Sequence, residues 1–153
     1  MNPTFSTLNY RRAAVQNASP VGLVIMLYDT LVGDLDRAIA AIEKGDIEER
    51  SSQLKHAAMV LQQLEGWLDM EHGGEAGQSL SNFYTFLRSK LMEAQFTQEP
   101  EILRNAISLV LEVRQAWQQV DCPTETAKPN IATAASNAYA VPDEDRQTSD
   151  WCA

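Results

Sequence analysis

The chain has 153 residues, a formal net charge of −9 and 44% hydrophobic residues. That length suits one domain. The acidic balance disfavours a nucleic-acid or anionic-membrane surface, because both would need a basic face.

The first predicted element begins at Ala18-Ser19-Pro20. Ser19 suits an N-cap and Pro20 suits the first helical position, where a missing N–H costs nothing. The helix that follows, to about Lys44, carries Val24, Leu27, Tyr28, Leu31, Leu35, Ala38, Ile39 and Ile42 at helical spacing. Its first turns are apolar nearly all round, which means either deep burial or a second surface that meets a partner. The apolar run from Val21 to Tyr28 is too short to span a bilayer and is broken by Gly22. No secretory leader precedes it, so a cytoplasmic location is expected. Cys122 and Cys152 then read as reduced thiols.

Gly45 predicts the end of this helix and Asp46 caps the next, with Glu49 three residues on. The second helix is expected to reach about Asp69, burying Ile47, Leu54, Ala57, Ala58, Leu61, Leu64 and Leu68. Gly73-Gly74 reads as a break. A third helix is expected from about Ser79 to Phe96, and a fourth from Pro100 to about Gln119. Leu80, Phe83, Tyr84, Leu87, Leu91 and Ala94 form the inner stripe of the third. Ile102, Leu103, Ala106, Val110, Val113 and Trp117 form that of the fourth. Short connections favour antiparallel neighbours, so the predicted fold is all-α, an antiparallel up-down four-helix bundle over residues 20–120. Residues 1–19 read as a mobile N-terminal arm. Residues 121–153 hold six acids and two bases among small and polar residues, and read as a disordered acidic tail.

The chemistry-bearing residues are sparse. Di-iron bundles place a Glu-x-x-His pair on each of two helices; here the nearest approach is Asp69 with His72, so no metal or cofactor is expected. No nucleophile-base pair or phosphate-binding glycine loop has a fitting context, which points away from an enzyme. His56 stands on the second helix, where a histidine phosphotransfer module would carry its acceptor. Ala57-Ala58-Met59-Val60 lacks the Lys-Gly and small polar pattern of such a module, which is kept as the alternative reading.

The stronger signal is surplus apolar side chains: Leu23 and Met26 on the first helix, Met59, Val60 and Trp67 on the second, Phe86, Met92 and Phe96 on the third, and Leu109 and Leu111 on the fourth. Met and aromatic groups suit adaptable protein interfaces. Grooves between helices accept amphipathic helices of another chain. The arm, with Leu8 and Tyr10, could cover such a surface. The expected partner-binding set is therefore Leu8, Tyr10, Leu23, Met26, Met59, Val60, Trp67, Phe86, Met92, Phe96 and Leu111.

Several stretches in order resemble the flagellar secretion chaperone FliS family. They are Ala18-Ser19-Pro20 through Met26-Leu27-Tyr28-Asp29, Ile42-Glu43-Lys44-Gly45-Asp46, Leu68-Asp69-Met70-Glu71-His72-Gly73-Gly74-Glu75, Asn82-Phe83-Tyr84 to Leu91-Met92-Glu93-Ala94, and Ala116-Trp117, with Tyr10 ahead of them. Thr30, Thr85-Phe86 and Gln95 depart from the family pattern, and the tail after Val120 is not covered. The resemblance implies a chaperone that binds the disordered C-terminal segment of flagellin in apolar grooves. It implies prevention of premature polymerisation and delivery to the flagellar type III export gate, with a co-chaperone or regulator as a further partner. It also implies an arm that covers part of the groove in the free state.

Overall fold

A computed structural model describes residues 19–121 and 131–138. Helices α1 (Pro20–Lys44), α2 (Ile47–Gly66), α3 (Gly74–Thr97) and α4 (Pro100–Asp121) form an antiparallel up-down bundle, and α5 (Ile131–Ala138) packs on α3 and α4.

The start of α1 is set as its sequence dictates. Ser19 Oγ accepts the Gly22 N–H at 3.0 Å and Pro20 takes the first helical position. At the other end Gly45 adopts φ 72°, a left-handed conformation that a side chain would resist. The Gly45 and Asp46 amides donate to Ile42 and Ala41, so the last carbonyls of α1 are satisfied. Asp46 then caps α2 by accepting the Glu49 N–H at 3.0 Å. Two residues thus close one helix and open the next, which forces α2 back along α1.

Side-chain pairs fix the register. Asp34 on α1 accepts from Arg37 and faces His56 Nδ1 on α2, both at 2.6 Å. Arg37 Nε also reaches Gln53 of α2 at 3.0 Å. Asp29 and Glu43 of α1 pair with Arg114 and Arg104 of α4. At the α2 start, the nearly buried Arg50 donates to Gln95 of α3, whose amide donates to Ser51 at 2.8 Å. Gln95 therefore ties two helix ends together.

The core is the set of stripes expected from the periodicity: Leu31, Leu35 and Ala38 of α1, Leu54, Ala57, Leu61 and Leu64 of α2, Leu80, Phe83, Leu87 and Leu91 of α3, and Leu103, Val110 and Val113 of α4. Tyr28 and Tyr84 meet at its centre, with hydroxyls 2.8 Å apart and rings edge-to-face. Burial pushes the Tyr28 phenol up to about 12 and the Tyr84 phenol higher still, so both remain neutral. The Trp117 indole N–H slightly offsets this for Tyr28, although it makes no hydrogen bond of regular geometry.

Four details differ from the sequence reading. Ile47 is 62% exposed, because the first residue of α2 lies beyond the packed layers. α2 stops at Gly66 and α3 starts at Gly74, earlier than expected in both cases. The intervening turn is organised by Asp69, whose carboxylate accepts the Glu71 and His72 amides and the His72 ring. Those donors hold its carboxyl below the ordinary range, the His72 amide first. Finally, the stretch read as a disordered tail contains α5. Ile131, Ala135 and Ala138 share one face of it, and small side chains let the helix approach the bundle closely.

Candidate partner-binding surface

The first two turns of α1, Val21 to Leu27, are half-exposed all round, and full burial begins at Tyr28. The all-round apolarity of this start is therefore surface as well as core. Because α1 runs antiparallel to α2 and α4, Leu23 and Met26 lie at the bundle end where those two helices finish. Trp67, the exposed C-cap of α2, stands at that end. Met70 and Val120 add exposed apolar groups there that the sequence reading missed. Their signal was present, because both fall just past a helical stripe where no neighbouring helix continues.

A second patch forms at the opposite end. The Gln95 bonds to Arg50 and Ser51 bring the end of α3 beside the start of α2. Met92 and Phe96, 62% and 78% exposed, and Ile47 belong to this end. Leu111 is exposed on α4 between Arg104 and Arg114, each of which pairs with α1. Met59 is exposed midway along α2. Phe86 is half-buried against the core, with Lys90 Nζ 5.6 Å from its ring centre.

Val60 does not belong to this surface. It is 6% exposed and packs within the core. Leu109 likewise packs partly against the core. Leu8 and Tyr10 lie outside the described residues. The remaining predicted groups do not converge on one pocket. They form separated apolar patches at both ends and along the sides, which suits an elongated partner better than a compact one. His56 is half-exposed, and its Nδ1 faces the buried Asp34 carboxylate, so the ring serves the α1–α2 contact. No described helix is long and apolar enough to cross a membrane.

The chain is 30% identical over 109 residues to the flagellar secretion chaperone FliS of Salmonella typhimurium, covering 71% of this chain and 81% of that one. It is 28% identical over 115 residues to the protein of that name from Vibrio cholerae, covering 72% and 85%. The Bacillus subtilis protein of that name is 26% identical over 110 residues, covering 72% and 81%. A family model described as flagellar protein FliS matches residues 2–124, which takes in all four bundle helices, and the chain belongs to that family.

Proposed function

We propose that this protein is a cytoplasmic flagellar export chaperone. It holds the disordered C-terminal segment of flagellin, keeps it from polymerising early and delivers it to the type III export gate. Family membership supports the export role, and the observation that carries the binding mode is the set of separated, exposed apolar patches around Trp67, Phe96 and Leu111. An extended segment can fold into helices across such patches, with its ordering cost offsetting part of the contact energy. That offset keeps a large interface releasable, as a cargo handover requires. The role is that of a binding protein, with no enzymatic step.

Co-elution of the purified chain with flagellin tests this directly. Full-length flagellin should travel with it as a complex, and flagellin lacking its C-terminal segment should not. Equal co-elution of the truncated flagellin would reject the proposed binding mode.

A further inference from the structure

We propose that His56 is a phosphoryl-acceptor site: its Nε2 takes a phosphoryl group from a high-energy donor while Asp34 holds the other side of the ring. The site goes beyond the chaperone reading above and does not depend on it. Three observations carry it.

First, the ring is fixed in one orientation. Asp34 is fully buried, and its carboxylate faces His56 Nδ1 at 2.6 Å. A carboxylate only accepts, so Nδ1 carries the proton of this bond. In the neutral ring the lone pair then lies on Nε2. The carboxylate is itself held in place. Arg37 donates to its other oxygen at 2.6 Å and reaches across to Gln53 on α2 at 3.0 Å.

Second, the lone pair is open to an external donor. The His56 side chain is 54% exposed although its partner is buried. Among the described residues none bonds Nε2. Ser52, Lys55 and Met59, within a turn of His56 on α2, are exposed as well.

Third, the charges suit the transfer. The Nε2 lone pair forms the bond to phosphorus. The bond from phosphorus to the leaving group breaks, and the leaving group takes that electron pair. The ring, now substituted on both nitrogens, is a cation. Asp34 stabilises this cation, and burial keeps water from screening the pair. Arg37 shares the carboxylate with His56, so a second positive group favours the incoming anion.

His72, the other histidine of the chain, supplies an internal comparison. Its Nδ1 also faces a carboxylate, that of Asp69 at 2.9 Å. That carboxylate is 59% exposed, and the His72 side chain is 81% exposed. Exposure alone would make His72 the faster acceptor. A buried carboxylate makes His56 the faster one.

The test uses the full chain and phosphoramidate, followed by phosphorus NMR and by mass spectrometry of peptides. The protonated nitrogen of phosphoramidate leaves as ammonia with the electron pair of the P–N bond. The folded chain should label His56 at least about 10-fold faster than His72, and on Nε2. In urea, with both carboxylates released, the two histidines should label at similar rates. His56→Gln should lose the fast label and keep the slow one. Asp34→Asn leaves Nδ1 an acceptor but removes the charge, so it should slow His56 by about 10-fold in a chain whose melting curve shows a folded bundle. The ratio of the two histidines in the wild-type chain decides the question even where Asp34→Asn does not fold. Labelling of His56 no faster than His72 in the folded chain would overturn the proposal. So would a phosphoryl group on Nδ1 of His56, or an unchanged His56 rate in folded Asp34→Asn.

Discussion

The phenols of Tyr28 and Tyr84 show how single residues set the limits of this bundle. Each buries a polar group that would be costly alone, and each satisfies the other at 2.8 Å. Ionising either would place a charge in the core. Tyr28 titrates near 12 in the folded chain against 10.0 for a free phenol, with burial as the main cause. The folded state therefore binds its proton more tightly than the unfolded state, so this stability is complete below pH 10 and is lost as pH rises towards 12. Chemical unfolding at successive pH values should show a fall of about 2–3 kcal/mol over that window from Tyr28 alone. Tyr28→Phe should flatten that part of the profile while costing about 1–2 kcal/mol at pH 7, since Tyr84 loses its partner. At this scale the apolar stripes were legible because burial follows a 3.6-residue period. Val60 and Ile47 were not. Val60 is 6% exposed at the edge of its stripe and Ile47 is 62% exposed at the first position of α2, and periodicity alone does not say how wide a stripe is or where along a helix its burial begins.

Among the elements, the caps were readable because Ser19, Gly45 and Asp46 each have one local task. The turn between α2 and α3 was readable only as a break, although its glycines have separate structural reasons. A Cβ on Gly73 would lie 2.3 Å from the Asp69 carbonyl oxygen, and Gly74 adopts φ 54°. Gly73→Ala should therefore cost about 1–3 kcal/mol in urea unfolding, through displacement of the turn that Asp69 organises. Gly66→Ala provides the contrast. A Cβ there meets nothing within 4 Å, so the substitution should leave stability unchanged or raise it by up to about 1 kcal/mol. A loss at Gly66 as large as at Gly73 would contradict this account of the turn. Helix α5 escaped the sequence reading for a physical reason. Ala, Ser and Thr bury little area, so the stretch resembles a solvated tail until a groove is present to receive it.

Across the whole molecule, the sequence showed that apolar side chains exceed the needs of the core, and the structure shows where the excess goes. Leu23, Met26 and Trp67 gather at one end, Met92 and Phe96 at the other, and Leu111 stands between ion pairs on the side. Their grouping was not legible beforehand, because it depends on which helix ends the antiparallel order brings together. Met92 and Phe96 are well exposed, so replacing both should spare the fold while removing client contact. The most direct measurement is the affinity of the flagellin C-terminal segment for the Met92→Ser/Phe96→Ser double variant, taken beside its melting temperature. The account predicts binding weakened by about 10-fold or more, equivalent to about 1.4 kcal/mol, with the melting temperature within about 3 °C of wild type. Unchanged affinity in a folded double variant would contradict it.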